Sequence, residues 1–351
     1  SWRLHSQGSG SRQSQIRPTP YARTGMAGQR ATMPAKPART HTRGVKYIAC
    51  IADYQSASFT PCSVQHSETL TFCMVMFMTA TDHPTARLPH QPTLFIPHGG
   101  GPCFFMDWPQ TWDHMAAFLR GLGDTLPQKP DAIVAVSGHW EEQAVTVTSG
   151  TAPELIYDYY GFPPHTYKLQ YPAPGSPDVA RRISTLLHDA GIANAANAQR
   201  GFDHGVFIPF MLAFPQADIP VVEVSLLNSL DPAEHLAIGA ALAPLRAQNV
   251  LIVGTGLSYH NLSHFMNNSP VTDQQAQAFD TWLNTAACAL PPERNWQLTH
   301  WAQAPGARLC HPREEHLLPL MVAAGAAGPD RGQRIYSDTV LGKALSGYRF
   351  G

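Results

Sequence analysis

The chain has 351 residues, 44% of them hydrophobic, with six scattered cysteines, no C-x-x-C pair and no run near the ~18–20 apolar residues of a membrane span. This argues against a membrane protein, a disulfide framework or a zinc ribbon, and for a reducing, cytoplasmic setting. The formal net charge of −1 hides an asymmetry: residues 1–52 carry nine Lys or Arg and no acid, whereas residues 85–351 carry 15 basic and 22 acidic side chains, which argues against a nucleic-acid partner.

Residues 1–90 have no hydrophobic period and are rich in Ser, Arg, Gln, Thr, Pro and Gly over the first 45. Such a segment cannot bury enough apolar surface to offset its ordering entropy. It is expected to be a disordered or spurious extension, with Met74, Met76 or Met78 as plausible starts. An Arg-rich, acid-free transit peptide is the other reading, although no amphipathic stripe accompanies it.

From Thr93 on, strand and helix patterns alternate. Thr93–Pro97 is a short apolar strand followed by the loop Gly99-Gly100-Gly101, and Gln110–Leu122 has helical spacing. Ala132–Val136 is a β-branched run that leads into Ser137-Gly138-His139-Trp140, and Ala144–Thr148 is the next strand. After the aromatic loop Tyr157–Phe162, Ser176-Pro177 gives the start signal of a helix that runs through His188 to Gly191. A polar loop, Arg200–Gly205, precedes an apolar helix at Phe207–Phe214. Val221–Leu226 is a strand, Pro232–Arg246 a helix, Val250–Thr255 a strand and residues 273–290 an amphipathic helix. Pro312 is expected to open an apolar helix reaching Ala324, and Arg334–Phe350 to close the sheet as one strand. Strands separated by helices imply an α/β fold, with residues 91–351 as a single layered domain and a mixed central sheet flanked by helices.

Histidines carry the chemistry. His114, His165, His188, His235, His264, His300 and His311 have no special context and are read as surface or satisfied polar residues. His98, His139, His204, His260 and His316 differ. Each lies beside Gly, Asn, Asp or Glu, at a strand end, loop or helix start where a side chain can face a cavity. Imidazole suits zinc and non-haem iron, and three protein ligands with open positions is the catalytic arrangement. His98 and His139 are the strongest ligands; His316 is the third, with Glu314 and Glu315 available as ligands or as partners to a ring nitrogen. His204, following Asp203, suits a base not committed to a metal. The triple glycine is not a dinucleotide fingerprint and is expected to let the backbone approach metal and substrate. The aromatic loop either packs or lines a pocket for a planar ligand.

Together these segments resemble the DOPA-dioxygenase-type extradiol aromatic ring-opening dioxygenases of the class III catalytic-subunit superfamily. The matching stretches are Pro97–Pro102, Ser137–Trp140, Tyr171–Gly175, Gly201–Gly205, Tyr259–Leu262 and Arg313–Leu320, in family order over about three quarters of the chain. Many relatives have Gly-His-Gly-Ser-Pro where this chain has Pro97–Pro102, and Ala where it has Gly138; neither removes a ligand. The resemblance implies one Fe(II) or Zn(II) per chain held by His98, His139 and His316. His260 would be a further ligand or an acid/base, and His204 would stand at the substrate. It implies a small aromatic diol and dioxygen as partners, with insertion of both oxygen atoms, in a monomer or small homo-oligomer. Two other readings stay open: a zinc-dependent hydrolase of a small aromatic or carbonyl substrate, and a non-enzymatic binding protein on the same scaffold.

Overall fold

Short runs of Val, Ile, Leu and Phe form the centre of the sheet because both of their faces are covered. A computed structural model of the chain describes residues 90–108, 110–265 and 269–351. The expectation for residues 1–90 falls, apart from His90, outside the described residues. The strands are β1 (Thr93–Pro97), β2 (Ala132–Glu142), β3 (Val145–Thr148), β4 (Asn194–Asn197), β5 (Val221–Leu227), β6 (Val250–Gly256), β7 (Gly332–Val340) and β8 (Lys343–Phe350). They make one sheet of eight strands in the order β4-β3-β5-β2-β6-β1-β8-β7.

The four central strands, β5, β2, β6 and β1, are parallel, while β8 runs antiparallel to β1 and β7 antiparallel to β8. The chain passes from β1 to β2 and later returns to lay β6 between them. The carboxyl ends of these three neighbours therefore share one edge, which is where ligands bind in parallel sheets. Helices flank the sheet. Helix Leu318–Ala326 is buried at every residue and packs on β1, β2, β6 and helix Pro232–Leu242. A helix apolar all round belongs in the interior. Helix His204–Ala213 packs on β2, β6 and helix Asp113–Gly121. Each wholly buried Leu, Ile, Val or Phe of these layers contributes ~1.5–3 kcal/mol.

The structure departs from the sequence reading at several boundaries. β2 does not end at Val136. It continues to Glu142, with its pairing to β5 interrupted between Val136 and Glu141. The apolar helix begins at His204, not Phe207, because the Asp203 carboxylate caps it by accepting from Gly205 N at 3.0 Å. Pro312 opens no helix. Residues 312–317 form turns, whose His316 carbonyl is engaged by Leu257 N at 3.1 Å, and the helix starts at Leu318. The expected closing strand is a hairpin, turned at Leu341 and Gly342 with φ of 50° and 79°.

Candidate metal centre

Five histidines converge at the shared strand edge. His98 follows β1 directly, and its N–H donates to the carbonyl of Gly256 at the end of β6, at 3.2 Å. His139 lies in β2 where the ladder to β5 breaks, so its side chain is not constrained by a paired neighbour on that side. His316 is delivered by the turns before the buried helix, and His260 by the loop after β6, its N–H bonded to Cys310 O at 2.9 Å. His204 is the first residue of its helix.

One ring nitrogen from each of His98, His139 and His316 lies within 4.8 Å of the other two. His316 Nε2 stands 3.2 Å from His139 Nε2. Both rings of that pair turn Nδ1 towards a carboxylate: His316 Nδ1 is 3.0 Å from Glu315 Oε1 and His139 Nδ1 is 3.5 Å from Asp158 Oδ2. A carboxylate accepts, so His316 carries its proton on Nδ1 and presents Nε2 as a lone pair, and the Asp158 carboxylate beside His139 favours the same tautomer there. Two lone pairs facing each other at this distance call for a cation between them. Nitrogens sharing one ion at ~2.0–2.1 Å stand ~3 Å apart. His98 supplies the third donor: it is 2% exposed and neither ring nitrogen has a partner. Buried polar atoms are normally satisfied, so these orphaned nitrogens fit a metal ion.

The electrostatics agree. Burial, then the neighbouring histidines, hold His98 and His316 well below the ordinary imidazole range. Burial and His204 bring His139 down to about 4, against the opposing pull of Asp203 and Asp158. All three are neutral near pH 7, the form that ligates a metal.

The other two histidines flank this trio, each with its own carboxylate. His204 Nδ1 is 2.7 Å from Asp158 Oδ1, which also accepts the His204 backbone N–H at 3.0 Å. His260 stacks on His316 with ring centres 3.3 Å apart, and its Nδ1 is 3.1 Å from the same Glu315 oxygen that serves His316. Its ring groups with Glu315 and His316, not with His98 and His139. Burial alone would push both carboxyls up. Together, the hydrogen bond and charge of His204, the His139 charge and the His204 backbone N–H outweigh it at Asp158, and the hydrogen bond and charge of His260, a backbone N–H and Arg313 outweigh it at Glu315, so both end below the ordinary range.

Sequence reasoning missed Asp158. The only signal for it was an acid inside the aromatic loop. Glu314, named beside Glu315, turns outward to Arg308 at 2.7 Å. The aromatic loop is mostly packing: the Tyr157 and Tyr159 hydroxyls donate to Leu169 O and Thr166 O, both at 2.6 Å. Tyr159 also meets the His204 ring at 5.7 Å between centres. The glycine loop has a local reason. Gly99 has a φ of 82°, and a Cβ there would lie 2.4 Å from Cys103 Sγ. Of the histidines read as ordinary, His311 and His235 are wholly buried and tied to backbone, at Ser258 O and at Leu227 N and Asp231 O. Two cavities of about 490 and 510 Å³ lie elsewhere, lined by residues such as Tyr171 and Arg334 respectively.

Residues 84–347 match the family described as the catalytic LigB subunit of aromatic ring-opening dioxygenase. The chain belongs to that family. Among its relatives, the dioxygenase tasH of Hapsidospora irregularis is 38% identical over 285 residues, covering 76% of this chain and 87% of that protein. The 4,5-DOPA dioxygenase extradiol of Beta vulgaris is 38% identical over 64% of this chain and 84% of its own length. The protein of the same name from Escherichia coli K12 is 34% identical over 67% and 84%. The crystal structure of an uncharacterized protein from Escherichia coli K12 superposes with a TM-score of 0.60 at 30% identity, covering 75% of this chain and all of that one. The chain is thus an extradiol dioxygenase of the LigB family, with an aromatic compound and dioxygen as its substrates. No helix among the described residues is long and apolar enough to cross a membrane.

Proposed function

We propose that this protein opens a catechol-type ring beside its two hydroxyls, at one iron held by His98, His139 and His316. The observation that carries the reading is the convergence of three neutral imidazoles whose ring nitrogens face one another or nothing. Iron supplies the electron transfer to dioxygen that zinc, with no accessible second oxidation state, does not. The relatives named for 4,5-DOPA support a catechol with a polar side chain as the substrate.

The protein's own part is proton management and positioning. His204 has its Nδ1 committed to Asp158, so its Nε2 is free to take a proton from a substrate hydroxyl. Asp158 fixes that tautomer and stabilises the imidazolium that results, as a carboxylate behind a catalytic histidine does. His260, backed by Glu315, is the second proton site, placed on the His316 side of the centre. His98 and His316 are nearly fully buried, while His139 is half-buried and marks the open side of the centre. In this reading residues 91–351 are the catalytic unit, residues 1–90 take no part in turnover, and the enzyme works in the cytoplasm.

The test is ring opening of a small catechol panel under labelled dioxygen by protein loaded with Fe(II). The reading expects both labelled atoms in one ring-opened product. Incorporation of a single atom, with the second leaving as water, would reject it.

A further inference from the structure

A second cluster of ionisable side chains adjoins the histidines. Asp203 and Glu223 are both wholly buried. Asp203 is well supplied: its Oδ1 accepts from Ser137 Oγ at 2.8 Å and from Gly205 N at 3.0 Å, and its Oδ2 from Arg200 at 3.1 Å, which leaves Oδ2 able to accept once more. Glu223 is not. No hydrogen bond closes on either carboxyl oxygen: the Asp203 backbone N–H approaches the carboxyl, and the Arg200 guanidinium, lying over Trp140, is 3.8 Å from Oε1. The two carboxyls meet at Arg200, whose Nη2 lies 3.1 Å from Asp203 Oδ2 and 3.8 Å from Glu223 Oε1, and the Asp203 charge acts on Glu223.

We propose that Glu223 is a positioning residue for the ring-opening reaction: from the middle of β5 it donates a hydrogen bond to Asp203, fixing Ser137 beside His139 and the first turn of the helix that starts at His204. The proposal rests on the roles given above to His139 and His204.

Charge counting leads there. Two buried carboxylates against one guanidinium leave an unpaired charge, and such a cluster retains a proton. Three hydrogen bonds close on Asp203, the shorter Arg200 contact among them, and none on Glu223, so the proton resides on Glu223. Burial, then the adjacent Asp203, push its carboxyl well above the ordinary range. Two acceptors facing each other become a donor and an acceptor once one is protonated.

What Asp203 holds in place is the site itself. Ser137 Oγ accepts from the His139 backbone N–H at 3.2 Å. A Cβ built on Gly205 would lie 2.4 Å from Ser137 Oγ and 2.9 Å from His139 Cδ2. Ser137, Asp203, Gly205 and the His139 ring are thus packed without slack. A shift of about 1 Å in such a knot is enough to cost ~10²-fold in rate.

The experiment compares E223Q and E223L in the full-length, iron-loaded enzyme. The Gln amide is neutral and donates to Asp203 as the acid does, so kcat for E223Q is expected within about threefold of wild type. E223L cannot donate, so its kcat is expected to fall ~10-fold or more with KM within about twofold. Infrared difference spectra of wild type against E223Q should show the carbonyl band of a neutral carboxylic acid, lost in the variant. Equal kcat losses in both variants, an unaltered kcat in E223L, or no neutral-acid band would overturn the proposal. Should E223L fail to fold, the E223Q rate and the infrared band decide alone. A wild-type enzyme that opens no catechol would count against the proposed reaction, while the band would still decide the contact between Glu223 and Asp203.

Discussion

Asp158 joins two histidines that come from different elements. It accepts from His204 at 2.7 Å and faces His139 Nδ1 at 3.5 Å, so one carboxylate orients both a proposed base and a proposed ligand. Replacing it with Asn keeps the shape but lets the amide present a donor to His204, which favours the wrong tautomer. Asp158→Asn is expected to lower kcat by ~10²-fold while iron still binds at one per chain, measured by turnover and metal content side by side. An unchanged kcat would remove Asp158 from the proton path. The histidines themselves were legible in the sequence because strand ends and glycines flagged them. Asp158 and Glu223 were not. Their importance comes from partners distant in sequence, and an acid in an aromatic loop or a strand carries no local signal of what it will touch.

At the scale of elements, the buried parallel strands were the most legible. β1, β5 and β6 match the sequence reading within one residue, because strands covered on both faces are predominantly apolar. What could not be read was set by tertiary contacts. β4, Asn194–Asn197, is a polar edge strand with no apolar alternation, and β2 stays extended past its apolar run because β6 still pairs with it at Ser137. The turns before Leu318 likewise exist to dock His316 against β6. There, a Cβ on Gly256 would lie 2.2 Å from the His316 carbonyl oxygen. Gly256→Ala is therefore expected to push that segment off the sheet, lowering stability by ~1–3 kcal/mol and weakening metal retention. Gly121→Ala, at the end of helix Asp113–Gly121 with nothing within 4 Å, is the control and is expected to leave Tm unchanged or raised. Equal Tm values for the two variants would show that the close approach at Gly256 has no consequence.

For the whole molecule, the buried histidines couple stability to pH. Burial brings His311 down to about 4 in the folded protein, whereas the unfolded chain protonates near 6.5. A depressed folded pKa contributes stability above the unfolded value that is lost as pH falls towards the folded one. His311 alone is worth about 3 kcal/mol across that window. In the metal-free protein, His98, His139 and His316 add to it with the same sign. Glu223 acts oppositely, since its raised folded pKa gives stability that fades as pH rises. Four histidines outweigh one glutamate, so the Tm of metal-free protein is expected to fall steadily from about pH 7 to about pH 5 by calorimetry. A flat or rising Tm would mean that these rings are protonated in the folded state. The central claim is that three histidines form one iron site that activates dioxygen. The measurement that tests it most directly is dioxygen uptake with a catechol by metal-free protein reloaded with Fe(II) or with zinc, in wild type and His139→Ala. Uptake with iron alone, at one iron per chain, and its loss together with the metal in the variant is the predicted result. Uptake with zinc, or iron-dependent turnover that survives in His139→Ala, would contradict it.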